Sequence, residues 1–229
     1  MTTLEKALEI KASIRHHMNG ETSDNMRREG ILYKVNYGVS IPELKQIAKP
    51  YQNDHDLAME LYKEEIRECK IIASLIDDPT LVTGEQIDDW SNEFDNSEIV
   101  EQVCGNLIWK SEYALSRSIE WCLSGDEFLQ KGGLIIIARK ASDPEIRDSI
   151  LEPYIGIIEN MANQITDITK NAAAFALREI AKHSSRLREM VLETAQAITE
   201  LENESAAWIG NEIIFQFSED DSDTSDEMS

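Results

Sequence analysis

The 229-residue sequence has no apolar run of the roughly 18–20 residues that a membrane-spanning helix needs, and its longest candidate is only Leu134 to Ala138. Charged residues begin at Glu5, so the N-terminus does not resemble a secretory signal peptide. Ten glycines and five prolines are too few for a collagen-like or linker-dominated chain. The three cysteines are odd in number and show no C-x-x-C spacing, which argues against a disulfide framework. These absences predict a cytoplasmic protein with reduced thiols and no membrane segment.

Motifs for metal, nucleotide and covalent chemistry are also missing. The four histidines, His16, His17, His55 and His183, have no ligand spacing with the cysteines. The sequence contains no phosphate-binding loop, no dinucleotide-binding glycine motif and no G-x-S-x-G nucleophile elbow. We therefore expect no metal site and no cofactor.

Positive charge is scarce, with 22 Lys and Arg residues against 44 Asp and Glu residues and a formal net charge of −22. Nucleic acid and anionic lipid repel such a chain on average, because affinity for phosphate comes mainly from cations. The segment 131–188 differs, since its nine bases outnumber its seven acids and give it a net charge of +2. Such an asymmetry permits a local anion site within this basic segment but does not by itself establish one.

The C-terminal residues 218–229 carry six acids and no base, and Met228 is their only apolar residue. A segment with so little to bury cannot offset the entropy lost on ordering. The sequence therefore predicts a single folded domain over residues 1–217, followed by a disordered acidic tail.

Apolar residues recur at helical spacing along the domain, and strand patterns are almost absent. Helix starts are well marked, as in Ser40-Ile-Pro-Glu43, which has an N-cap serine, a proline in the first turn and a capping-box glutamate. We count about twelve helices. Segments that combine small residues with an apolar stripe, such as 132–136 and 172–176, recur at intervals of 28 to 40 residues.

Such a period is typical of HEAT- or armadillo-like solenoids, in which small residues let neighbouring helices approach closely. The predicted fold is an all-α solenoid of about six antiparallel helix pairs, with the concave face as the candidate binding surface. A generic helical bundle is the alternative. The tryptophans that follow two of the repeat segments, Trp109 and Trp208, are expected to pack between helices.

Three segments resemble the AlkD-like DNA alkylation repair family. The stretch 169–182, TKNAAAFALREIAK, is similar to the family pattern K-A-I-G-W-A-L-R-E-x-A-K. The stretch 37–49, YGVSIPELKQIAK, looks like G-V-x-x-P-x-L-R-x-I-A-K, and 96–101, NSEIVE, aligns with N-W-D-x-V-D. The segments occur in the family's order, and the resemblance covers roughly residues 30–217.

The resemblance implies a HEAT-like solenoid that holds duplex DNA and releases positively charged N3- or N7-alkylated purines. It places the catalytic carboxylate at Glu101 and one of two aromatic faces for the cationic base at Phe175. The other aromatic is replaced by Ser97, so the catalytic motif is degenerate. It also places the arginine of the motif on Arg178 and a further basic position near Lys131. Together with Lys170 of the same basic segment, these are the candidate DNA-phosphate contacts: Arg178, Lys131 and Lys170.

Two functions therefore remain open. The first is a DNA-binding protein of the alkylation repair family whose glycosylase activity is weak or lost, supported by the three motifs and the basic segment. The second is a non-catalytic HEAT-repeat scaffold with a protein partner, supported by the net charge, the serine at position 97 and the acidic tail. Salt-dependent binding to duplex DNA separates the two.

Overall fold

A computed structural model describes the backbone of residues 1–226 and the side chains of residues 1–218. Within that part of the chain, thirteen α-helices and three short 3₁₀ helices account for the regular structure, and the one β-type pairing is an isolated bridge between Val35 and Ile66. The all-α prediction is confirmed. The predicted tail, 218–229, lies beyond the described side chains except for Ser218, so its disorder stays a prediction.

The chain divides into two compact units, the first Met1–Ala114 and the second from Leu115 onward, and we describe each by itself. The first unit holds seven α-helices. They are α1 (Thr3–His16), α2 (Gly20–Arg28), α3 (Ile41–Ala48), α4 (His55–Tyr62), α5 (Arg67–Ile76), α6 (Gly84–Ser91) and α7 (Ser97–Asn106). Its 3₁₀ helices are Lys49–Tyr51 and Ile108–Lys110.

The second unit takes in α8, whose first residue is the last of the first unit, and the five helices that follow. They are α8 (Ala114–Cys122), α9 (Glu127–Ala141), α10 (Asp148–Met161), α11 (Lys170–His183), α12 (Ser185–Thr199) and α13 (Glu204–Asp226). The 3₁₀ helix Ala162–Gln164 follows α10. Helix α9 packs on α11, and α13 packs on both α11 and α12.

The helix starts follow the local signals in the sequence. At α3, the Ser40 side chain accepts from the Glu43 backbone N–H, and the Glu43 carboxylate accepts from the Ser40 backbone N–H at 3.1 Å. This reciprocal arrangement satisfies amide groups that have no partner inside the helix. Thr83 caps α6 through the backbone N–H of Gln86 in a similar way.

One largely buried helix lies at the centre of each unit. In the first unit, α5 buries all of its residues except Leu75, and it packs against α3, α4 and α7. In the second, α9 buries every residue from Lys131 to Ala138. The apolar run Leu134 to Ala138 thus forms part of a core, as its composition indicates.

The tryptophans divide by environment. Trp90 is buried and stacks on Tyr62 with ring centroids 3.8 Å apart, and Trp121 is also buried. Trp109 is half-buried, whereas Trp208 on α13 is 42% exposed. The expectation that Trp208 packs between helices is wrong, because 42% of this residue is exposed on the surface of α13.

All three cysteines are free and buried, and burial raises the pKa of Cys69 and of Cys122 to about 12 and that of Cys104 further still. Because the thiolate is the reactive form, we expect no thiol to react with Ellman's reagent at pH 8 in the native protein. All three should react in 6 M guanidinium chloride. Rapid release of the coloured product from the native protein would contradict this burial.

Candidate nucleic-acid interface

Phe175 and Arg178 lie one turn apart on α11, in the second unit. The guanidinium carbon of Arg178 lies 5.3 Å from the centroid of the Phe175 ring. Arg139, near the C-terminus of α9, approaches the same ring, with its guanidinium carbon 5.7 Å from the centroid. Both distances fall within the range of a cation–π contact. The packing of α9 on α11 thus gathers two cations at one half-buried aromatic ring.

One carboxylate, that of Glu179, pairs with Arg178 of this arginine–phenylalanine cluster. Glu179 accepts hydrogen bonds from Arg178 Nε at 3.4 Å and from Lys182 Nζ at 3.1 Å, and Ser142 Oγ donates to it at 3.3 Å. The carboxylate is thus shared between Arg178 and Lys182, while Arg139 makes no ion pair within the described residues. Such a cluster favours an anionic ligand.

The two predicted lysine contacts lie elsewhere in the second unit. Lys170 begins α11 and pairs with Asp167 at 2.9 Å, which lowers the pKa of that carboxyl group. Its ammonium also lies 5.5 Å from the centroid of the exposed Trp208 ring. Lys131 is only 5% exposed. A buried ammonium has little surface to offer a phosphate, so we leave Lys131 out of the interface proposed below.

The residues aligned with the catalytic motif begin α7, in the first unit. The Asn96 side chain caps this helix by accepting from the backbone N–H groups of Glu98 and Ile99, each at 3.1 Å. Ser97 is half-buried, and Glu101, one turn further on, is exposed. The local fold thus presents the Glu101 carboxylate at the surface of the first unit.

Glu98, between these two positions, belongs to a buried ion network. Its carboxylate accepts from Arg67 Nε and Nη2, each at 2.7 Å, and from the Tyr33 hydroxyl at 2.9 Å. Arg67 Nη1 donates in addition to the Val39 carbonyl and to Glu68. Burial and the adjacent Glu98 charge raise the pKa of Tyr33 above its ordinary value, so that hydroxyl stays protonated and donates. This bidentate pair holds the first turn of α7 on α5.

Comparisons with known proteins bear on the family and on the fold of this chain. The profile of a family described as DNA alkylation repair enzyme matches residues 10–206. The chain belongs to the DNA alkylation repair enzyme family. Comparison with curated proteins gives no match.

A solved structure shares the fold. It is described as a new family of proteins related to the HEAT-like repeat DNA glycosylases with affinity for branched DNA structures. Its sequence is 18% identical to this alkylation repair family member, the TM-score is 0.77, and the match covers 91% of this chain and 94% of that one. The HEAT-like helical-repeat fold predicted from the sequence is thereby confirmed.

The structure of this family member brings together some predicted site residues and separates others. Phe175 and Arg178 share one cluster, whereas Lys170 lies at the other end of α11. Glu101 and Ser97 belong to the first unit. Sequence reasoning missed Arg139 as a site residue and counted it only among the bases of the 131–188 segment. The sequence carries no signal for its contact with Phe175, which depends on how α9 packs against α11.

Within the described residues, no helix is both long and apolar enough to cross a membrane. No group of three or more His, Cys, Asp and Glu side chains in that part of the chain is placed to hold a metal ion. The cytoplasmic location stays a prediction from the sequence.

Proposed function

We propose that this member of the DNA alkylation repair family binds DNA through the arginine–phenylalanine cluster of α9 and α11. The observation that carries the proposal is the presence of Arg139 and Arg178 at one ring, where the carboxylate of Glu179 is shared between Arg178 and Lys182. Guanidinium groups suit phosphate because their planar donors match two of its oxygens at once.

The overall charge of −22 requires that binding be local. The basic segment 131–188 supplies most of α9, all of α10 and α11 and the first residues of α12, which places the cluster in a long stretch whose bases outnumber its acids. The related solved structure is described as having affinity for branched DNA. We therefore include branched duplexes among the DNA ligands proposed for this chain.

Arg178→Ala and Arg139→Ala are each expected to weaken duplex binding at low salt. Each should also make the slope of log affinity against log salt shallower by about 1, because one phosphate contact releases roughly one counterion. Fluorescence anisotropy with a labelled duplex from 20 to 200 mM salt measures both effects. Lys63→Ala is the control, since Lys63 is an exposed residue of the first unit paired with Glu60.

Undetectable wild-type binding at 20 mM salt would contradict the proposed function. Salt slopes for both arginine variants equal to that of wild type would show instead that DNA binds elsewhere on the chain.

We propose further that base excision in this protein is weak or absent. Ser97 provides no indole face for a cationic base, and Glu101 extends its carboxylate one methylene beyond the aspartate of the family motif. Misplacement of a catalytic group by about 1 Å costs on the order of 100-fold in rate. The neighbouring carboxylate of Glu98 cannot substitute, because Arg67 and Tyr33 hold it in the ion network.

Release of 7-methylguanine from a methylated duplex is accordingly expected to be slow. Glu101→Gln should abolish the residual rate, since a neutral amide cannot stabilise a developing oxocarbenium ion. Ser97→Trp should raise the rate, with at most about 2 kcal/mol available from one new cation–π contact. Chromatographic quantification of the free base measures all three proteins. Efficient release by wild type, unaffected by Glu101→Gln, would refute the assignment.

One observation favours the second function, a protein-interaction scaffold. Trp208 and Phe215 lie seven residues apart on one face of α13 and are 42% and 61% exposed. The chain contains no Lys or Arg after Arg188, so this aromatic face lies in a part of the sequence whose charged residues are all acidic. If the duplex does not bind at low salt, this face becomes the first surface to test with protein partners.

A further inference from the structure

The Phe175 ring already has two cationic partners. The guanidinium carbons of Arg139 and Arg178 lie 5.7 Å and 5.3 Å from its centroid, and the two arginines come from different helices. Two like charges repel each other, whereas the negative electrostatic potential of the aromatic face attracts both of them.

The arginines retain donors for a ligand. Arg178 uses Nε towards Glu179, at the long distance of 3.4 Å. In the part of the chain that the structure describes, its two terminal nitrogens make no hydrogen bond to protein, and neither does the exposed guanidinium of Arg139. Planar guanidinium donors that contact one ring and have no protein partner suit the oxygens of a phosphodiester.

The same arrangement disfavours a cationic base. A positively charged alkylpurine stacked on the Phe175 ring would lie close to the guanidinium groups of Arg139 and Arg178, which are 5.7 Å and 5.3 Å from the ring centroid. Like charges at such distances repel each other. Glu179 offsets only part of this charge, because it is shared between Arg178 and Lys182. The cluster therefore selects for an anion and against a cation.

We propose that Phe175 is a positioning residue, which holds Arg139 and Arg178 together as a clamp for DNA phosphate, and that DNA recognition is consequently indifferent to base alkylation. This inference rests on the proposed DNA binding and names the part of the ligand that is recognised. In this proposal Phe175 orients two arginines towards the sugar–phosphate backbone of DNA. The family resemblance instead implies that the Phe175 ring faces a cationic DNA base.

The first test compares two duplexes of identical sequence, one unmodified and one with a single 7-methylguanine, by anisotropy at 50 mM salt. Wild-type affinities for the two are expected to agree within about 2-fold, because phosphate contacts carry no information about the base. An affinity at least about 10-fold higher for the methylated duplex would overturn the proposal. Undetectable binding to both duplexes would instead overturn the proposed function itself.

The second test is a double-mutant cycle. Phe175→Leu keeps an apolar side chain and removes the aromatic face, and it should weaken binding to both duplexes by about 2- to 5-fold, the range of one exposed cation–π contact. Phe175→Tyr, which keeps the ring, should restore wild-type affinity. In a protein that carries Arg139→Ala and Arg178→Ala, Phe175→Leu should have no further effect.

A merely structural Phe175 predicts a different pattern. Phe175→Leu would then weaken binding equally with and without the two arginines, and that result would overturn the positioning role. Circular dichroism and a thermal melt of each variant establish that the proteins compared are folded. If Phe175→Leu does not fold, the wild-type comparison of the two duplexes still decides the proposal, because it needs no variant.

Discussion

Arg67→Ala is expected to lower the free energy of unfolding by about 3–5 kcal/mol, the cost of leaving a buried charge unpaired. Arg67 is 3% exposed and neutralises two carboxylates, those of Glu98 and the fully buried Glu68. Burial favours the neutral form of this guanidinium, but the hydrogen bonds and charges of the two glutamates outweigh that effect and raise its pKa. Removal of the arginine leaves both carboxylates in a low-dielectric environment without their cation.

A urea titration followed by circular dichroism measures this loss, and Lys63→Ala is the matched control. Lys63 also pairs with a glutamate, Glu60, but its side chain is 71% exposed. An exposed pair of this kind contributes at most about 1 kcal/mol, so the control should unfold close to wild type. Equal midpoints for wild type, Arg67→Ala and Lys63→Ala would contradict the role of the network.

Gly133→Ala is expected to destabilise the protein by about 1–3 kcal/mol through overpacking. A Cβ atom at position 133 would lie 2.6 Å from the Ser118 carbonyl oxygen and 2.9 Å from the Cys122 backbone nitrogen. These backbone atoms belong to α8, so α8 and α9 would have to move apart to admit one methyl group. The Ser118 hydroxyl, which donates to the Gly133 carbonyl at 2.7 Å, would be displaced as well.

Gly156→Ala is the control, and its expected effect on stability is opposite to that of Gly133→Ala. Gly156 lies inside α10, and a Cβ atom there meets nothing within 4 Å. Alanine is the better helix former by about 1 kcal/mol, so this variant should be as stable as wild type or more stable. Thermal melts of the two variants should therefore move in opposite directions. A Gly133→Ala protein that melts at or above the wild-type temperature would remove the argument for close packing of α8 on α9.

The candidate interface was only partly predictable. Phe175 and Arg178 lie on one helix within a recognisable motif, so their proximity follows from helical geometry. Arg139 could not be found in this way, because its contact with Phe175 depends on which helices pack together. Lys131 was predicted to contact DNA from its basic side chain, but the packing of α9 buries it.

The ion network also required the structure. Arg67 and Glu98 fall within stretches that the family resemblance covers, yet nothing in their spacing shows that α5 and α7 place them in a bidentate pair. The family motif predicts Glu101 as the catalytic carboxylate of α7. The structure shows that the Glu98 carboxylate of the same helix is held between Arg67 and Tyr33.

The helices, their caps, the apolar core of α9 and membership of the alkylation repair family could all be predicted from the amino-acid sequence. These properties depend on local spacing and on residue order, which the chain carries directly. The contact of Arg139 with Phe175, the burial of Lys131 and the exposure of Trp208 could not be predicted in this way. Each of these depends on contacts between helices distant in sequence, and many side-chain arrangements are compatible with one helical pattern until packing selects among them.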